Sequence, residues 1–222
     1  MRHDARMHGV IVIGSVAISY LAGAIPFSFI FARLRGVDLR TAGSGNIGAT
    51  NVFRTVGKGW GLAALSADLL KGLLPASGAP ILGERLFGPI GPGTGIRLGL
   101  LCGAAAVAGH TWPVFLRFRG GKGVATSAGV LLGVAPAAMG VGLLAWGVLF
   151  GLFGYVSLAS IGAAIGVVAA AWPLYAGHTL TLPITLSLLG LLVIIRHRSN
   201  LDRLFRGVES RAWRGLLQGG PS

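Results

Sequence analysis

Between Gly123 and Ile195 the chain has no Asp, Glu, Lys or Arg, a gap of 73 residues. A single membrane span needs about 20 apolar residues, so this gap crosses a bilayer more than once. Charge is scarce elsewhere too. Asp, Glu, Lys and Arg make up 11% of the 222 residues, against about 25% in soluble domains. With a mean hydropathy of +0.75, this excludes a separate soluble domain. The class is all-α: one polytopic membrane helical bundle spanning 1–222.

Other absences narrow the chemistry. The only cysteine, Cys102, lies in an apolar run, which excludes an internal disulfide and suits a small core residue. There is no paired-His motif, cysteine cluster or carboxylate-rich site, so no metal or other cofactor is expected. The G-x-S-x-G nucleophile elbow is missing. His110 is followed five positions on by Phe115 rather than Asp, which excludes the H-x-x-x-x-D signature of another class of lipid acyltransferase. Asp38, Asp68, Asp202 and Glu209 are the only acids on or near the polar face, and no carboxylate–histidine base pair is obvious.

What is present is basic charge, with a net +13. In a soluble protein it would point to nucleic acid; here it lies between apolar segments and reads as topology. Apolar segments fall near 9–32, 60–82, 97–116, 123–139, 140–155, 157–176 and 179–195. The first resembles a signal peptide but continues through Phe31, so a retained helix is expected. Later breaks are marked by Ala135-Pro136 with Met139-Gly140, by Gly154-Tyr155, and by Trp172-Pro173 through Gly177-His178. Regions 33–60, 116–123 and 196–215 hold fourteen basic residues; the N-terminus and the 83–97 link hold four. The positive-inside rule places the three richer regions in the cytoplasm. Seven transmembrane helices follow, N-terminus outside and C-terminus cytoplasmic. Asp68 and Lys71, three apart within a span, share a helix face, either as an orienting ion pair or lining a polar cavity.

Three polar motifs then share the cytoplasmic side: GSGNIGATNVFR (Gly43 to Arg54), GHTWPVFLRFRGGKGVAT (Gly109 to Thr126) and HRSNLDRLFRGVE (His197 to Glu209). The first holds G-x-G-x-x-G at Gly43, Gly45 and Gly48. A dinucleotide site would need a strand before it, and a spanning helix stands there instead. What remains is a flexible backbone whose N–H groups can converge on an anion. Ser44, Asn46, Thr50 and Asn51 add side-chain donors, and Arg54 adds a guanidinium fork. In the second motif Lys122 lies between Gly120, Gly121 and Gly123 at the start of an apolar helix, well placed for phosphate. In the third, His197 and Asn200 are three apart and face one way if the helix continues; Arg203, Arg206, Arg211 and Arg214 suit a juxtamembrane anchor. Together they describe a pocket for a multiply anionic molecule at a membrane surface. Gly129, Gly133, Gly162 and Gly166 suit close helix packing.

In this order the three motifs resemble the bacterial integral-membrane acyl-phosphate:glycerol-3-phosphate acyltransferases, and the DLLKG run from Asp68 to Gly72 extends the likeness. The resemblance implies transfer of an acyl chain from acyl phosphate to the 1-hydroxyl of glycerol 3-phosphate, giving lysophosphatidate and inorganic phosphate in phospholipid synthesis. It implies that Ser44, Arg54, Lys122, His197 and Asn200 form the active site and hold substrate phosphates. The backbones of Gly43–Gly48 and Gly120–Gly123 would cradle the donor phosphate. The expected partners are acyl phosphate, glycerol 3-phosphate and membrane lipids, with no nucleic acid and no obligate protein partner. The expected location is the bacterial inner membrane, the site facing the cytoplasm. The alternative is a transporter of a phosphorylated anion, against which the charge-free stretch and the absence of a clear inverted repeat both count.

Overall fold

The computed structural model describes residues 2–88 and 93–212, with side chains from Gly9 onward except that of Phe87. Arg214 and the end of the 196–215 region lie outside the described residues. Eleven α-helices and no strand occur among those described, so the all-α expectation holds. The chain folds as two compact units, Met1–Ala135 and Pro136–Ser222.

In the first unit α1 (Arg2–Ala24) and α2 (Phe27–Leu34) are parted at Ile25-Pro26, where proline withdraws a backbone donor. A short α3 (Ala49–Thr55) precedes α4 (Lys58–Leu73). A π-helical turn, Leu74–Gly78, carries α4 into α5 (Ala79–Phe87); Pro75 lies inside it, and such turns commonly absorb a lost i→i−4 bond. Next come α6 (Thr94–Thr111), a 3₁₀ turn (Val114–Leu116) and α7 (Val124–Val134). Helices meet through backbone where side chains are missing. A Cβ on Gly72 of α4 would overlap the Thr126 carbonyl of α7, and one on Gly129 of α7 would overlap the Leu69 carbonyl of α4. Reciprocal small residues permit this approach.

The second unit holds α8 (Pro136–Phe153), α9 (Val156–Tyr175), α10 (Thr181–Arg196) and α11 (Arg198–Phe205). The expected break at Met139-Gly140 is absent. The helix stops at Ala135, whose φ of −149° is extended, because a residue before proline avoids the helical region. Gly140 instead lies inside α8, as glycine often does in membrane helices.

Four helical runs among the described residues are long and apolar enough to cross a membrane: Gly9–Leu34, Thr94–Leu116, Pro136–Phe153 and Val156–Tyr175. A fifth is reached if α10 and α11, bent by 52°, count as one. By itself α7 is short for a span, 11 residues against about 20.

Candidate functional site

The first motif is a loop closed by one side chain. Asn51, at the start of α3, is 2% exposed. Its Nδ2 donates to the carbonyls of Asn46 (2.9 Å), Ala42 (3.0 Å) and Leu39 (3.3 Å), while its Oδ1 accepts the Ser44 N–H at 3.0 Å. Gly43 and Gly45 adopt left-handed φ values of 59° and 71°, which glycine reaches without a Cβ penalty. Ser44 is exposed and Asn46 half-buried on this loop, while on α3 Arg54 is exposed and Thr50 half-buried. Asn51 therefore shapes the loop from inside, a role that residue type alone did not reveal. The loop stands on a core of Ala32, Leu39, Ile47, Ala49, Val52 and Ala64.

Just upstream, Asp38 takes a forked contact from Arg40, with Nε at 3.0 Å and a terminal nitrogen at 2.7 Å, and another from Arg33 at 2.8 Å. The Arg40 hydrogen bonds hold the Asp38 carboxyl well below the usual carboxylate range. Asp38 is thereby occupied in bracing the chain that enters the loop.

The second motif folds back onto the end of α6. Gly120 and Gly121 donate backbone N–H groups to Thr111 and His110 carbonyls, both at 3.2 Å. The reversal uses consecutive left-handed residues, Arg117 (φ 51°) and Phe118 (φ 61°). Lys122 is half-buried directly before α7. Leu116 packs on the core beneath the first motif. Ile47 of the first motif and Gly121 of the second line the same small cavity, together with Ser28, Asp68, Lys71 and His110. The fold thus joins two motifs that lie about 70 positions apart in sequence.

Beneath them lies a buried polar cluster. Lys71 Nζ is 2.8 Å from Asp68 Oδ1 and donates to the Ile25 carbonyl at 2.9 Å. Ser28 Oγ donates to Asp68 Oδ2 at 2.9 Å, and His110 Nδ1 lies 3.7 Å from Asp68 Oδ1. The expected Asp68–Lys71 face is a real ion pair. The carboxylate–histidine approach, however, went unseen in the sequence, since its members sit on different helices. Ser28 carried no signal at all.

The third motif belongs to the second unit. The helix does not continue through it as expected: His197 breaks it between α10 and α11, with φ −95° and ψ 6°. His197 is 2% exposed, and its Nδ1 lies 2.7 Å from the Val193 carbonyl. A carbonyl only accepts, so Nδ1 carries a proton. Asn200 Nδ2 donates to Glu209 Oε1 at 2.7 Å, as does Ser157 Oγ at 2.8 Å; Arg203 Nε meets Oε2 at 2.6 Å. Burial raises the Glu209 pKa, but the bonds from Asn200, Arg203 and Ser157 outweigh it and hold the carboxyl below its ordinary 4.5. Arg203 is thus an internal partner rather than a simple anchor. Arg211 donates to the Tyr155 hydroxyl at 3.0 Å and lies over its ring.

The family model for glycerol-3-phosphate acyltransferase matches residues 13–207. The chain belongs to that family. Glycerol-3-phosphate acyltransferase of Desulforudis audaxviator is 45% identical over 207 residues, covering 92% of this chain and 98% of the relative. That of Aquifex aeolicus is 42% identical over 198 residues, covering 88% and 96%. Among solved structures, the chain resembles PlsY (YgiH), an integral membrane glycerol 3-phosphate acyltransferase, in its glycerol 3-phosphate form. The TM-score is 0.79 and the identity 40%, covering 90% of this chain and 94% of that one. The lysophosphatidic acid form of PlsY matches at a TM-score of 0.76 and 39% identity, with the same coverage. The chain is accordingly an integral-membrane acyltransferase of phospholipid biosynthesis.

Proposed function

We propose that the chain transfers an acyl group from acyl phosphate to the 1-hydroxyl of glycerol 3-phosphate. The similar PlsY structures are of a glycerol 3-phosphate form and a lysophosphatidic acid form, which supports this acceptor and this product. The observation that carries the reading is the meeting of the first two motifs over one cavity: two glycine-bearing loops adjoin, one with Ser44 and leading into α3 with Arg54, the other with Lys122.

The chemistry asks little of the protein. In an acyl phosphate the carbonyl already bears a good leaving group. The acceptor hydroxyl oxygen bonds to the carbonyl carbon, the bond to the phosphate oxygen breaks, and the hydroxyl proton passes to a phosphate oxygen. Alignment and charge neutralisation then supply most of the catalysis. Ser44, Arg54, Lys122, His197 and Asn200 hold the two phosphates in this reading, with Gly43–Gly48 and Gly120–Gly123 offering backbone N–H groups. Asn46 and Thr50 add side-chain donors, and Asn51 holds the loop's shape.

The same reading has seven spans in the bacterial inner membrane, with all three motifs in the cytoplasm. The basic loops support it through the positive-inside rule. Labelling of single introduced cysteines at 44, 122 and 200 checks the sidedness: all three react from the cytoplasmic side, and opposite reactivity of any two defeats the arrangement.

Purified protein offered acyl phosphate, acyl-coenzyme A or acyl carrier protein separately, with glycerol 3-phosphate, tests the reaction. Lysophosphatidate and inorganic phosphate should form in equal amounts from acyl phosphate. Turnover with either thioester and none with acyl phosphate rejects the donor.

A further inference from the structure

α11 follows α10 at once, the two meeting at His197 with a bend of 52°. At about 100° per residue, Leu201, Leu204 and Phe205 share one arc of α11, the i, i+3 and i+4 positions of an apolar stripe. Arg198, Ser199 and Asp202 share another arc and are exposed. The stripe opens outward at its far end. Leu201 and Leu204 are half-buried, but Phe205 is 88% exposed, and no large apolar side chain among the described residues is more so. Val208, which follows the left-handed turn at Gly207 (φ 70°), is 65% exposed. The inner side of the helix is already engaged, since Asn200 and Arg203 both reach Glu209.

We propose that α11 is an interfacial helix that docks on an anionic bilayer surface, with Phe205 and Val208 inserted among the lipids and Arg198 and Arg206 on their headgroups. The outer side of α11 rules out both simpler surroundings. Exposed Arg198, Asp202 and Arg206 are costly in hydrocarbon. The exposed Phe205–Val208 patch gains nothing from water. The interface suits both, and a helix with one apolar arc and a cationic border rests there. The bend brings the patch within reach. Phe205 lies eight residues past His197, so a straight continuation of an upright α10 would carry it about 12 Å outward; inclined by the 52° bend, it is carried only about 7 Å. The polar layer on each side of the hydrocarbon is about 5–7 Å thick. Charge chooses the kind of surface. Arg198, Arg206 and Arg211 are exposed against Asp202 alone, because Glu209 is buried on Asn200, Ser157 and Arg203. The Arg206–Asp202 contact, 3.0 Å long, is an exposed i,i+4 pair, worth little by itself, and it yields readily to lipid phosphate. Arg203, expected as an anchor, is turned inward; the anchor is instead the apolar stripe and the arginines at its border.

Nitroxide labels on cysteines introduced singly at 199, 202, 205 and 208 of the full chain test the docking in vesicles. Cys102 is fully buried, and unsubstituted protein carried through the labelling reports any background. Oxygen concentrates in the bilayer, while a nickel chelate stays in water. On vesicles of equal phosphatidylglycerol and phosphatidylcholine, the oxygen-to-nickel accessibility ratio at 205 and 208 should exceed that at 199 and 202 about tenfold. On phosphatidylcholine alone the ratio at 205 should fall about threefold, and Arg198→Gln combined with Arg206→Gln should abolish that difference between vesicles. Equal ratios at all four positions, water-like ratios at 205 and 208 on anionic vesicles, or ratios indifferent to headgroup charge would overturn the proposal. Low access of both reagents at 205 and 208 would overturn it as well, because protein, either the segment after Ala212 or another chain, would then cover the patch. Should the label at 205 unfold α11, native protein still decides: amide hydrogen exchange across 198–208 should be about tenfold slower on anionic than on neutral vesicles, and equal exchange counts against the docking.

Discussion

The side-chain oxygen of Asn51 accepts the Ser44 backbone N–H at 3.0 Å, seven residues back along the chain. The same amide donates to three carbonyls of the intervening turn and its approach. One buried side chain therefore dictates where the exposed Ser44 hydroxyl stands.

Asn51→Asp keeps the oxygen acceptor but turns an oxygen toward those carbonyls. It should cost about 1–3 kcal/mol of stability for the lost donors. Acyltransferase activity should fall at least about tenfold as Ser44 shifts. Thermal unfolding in detergent and a lysophosphatidate assay check both; native kinetics in this variant would show that the loop holds its shape without the amide.

The Asp68–Lys71 pair predicts a sign reversal. Lys71→Met leaves a buried carboxylate unpaired and should destabilise by about 3–5 kcal/mol. Adding Asp68→Asn to Lys71→Met removes the uncompensated charge and should restore much of that loss. Double-mutant-cycle thermal melts measure the coupling, and a double variant as weak as the sum of the singles contradicts it.

Glu209 predicts an acid limb in stability. Its folded pKa is lowered, so its contribution is complete above the ordinary value of 4.5 and drains as pH falls through the lowered value. Native protein should soften on acidification in that window. Glu209→Gln should be weaker at neutral pH, having lost the Arg203 pairing, and should lack this limb. Melting temperature against pH compares them; parallel curves would assign the limb to another group.

Two cations of the proposed site, exposed Arg54 and half-buried Lys122, separate by geometry of recognition. Arg54→Lys replaces a planar fork by a point charge and should raise KM for a phosphorylated substrate about tenfold or more. Lys122→Arg keeps charge but adds bulk at a half-buried position beside Gly121. Both should lower kcat/KM while melting temperatures stay within a few degrees of native. Activity retained in Arg54→Lys would remove the fork from phosphate binding.

Legibility in the sequence followed distance along the chain. The charge-free stretch, the glycine-bearing loops and the i,i+3 pair Asp68–Lys71 were all readable, because hydropathy and helical spacing are local quantities. The break at Ala135-Pro136 was readable for the same reason, and the false break at Gly140 shows how weakly glycine stops an apolar helix. His197 and Asn200 looked like neighbours on a continuing helix, but a break at His197 sends Asn200 to Glu209. No spacing rule joins Ser157 to Glu209 across 52 residues, or His110 to Asp68 across helices.

By itself, then, the sequence determined that this protein lives in a bilayer and that its polar chemistry is concentrated in three short motifs, since an apolar solvent tolerates charge only where it can be paired or reach water. Tertiary structure decided which of those polar groups point outward and which turn in to hold the loops. Asn51 and Ser44 share one motif and one polar character, yet a packed core beneath one of them makes it a brace and leaves the other at the surface. That choice depends on long-range closure, which no local pattern encodes.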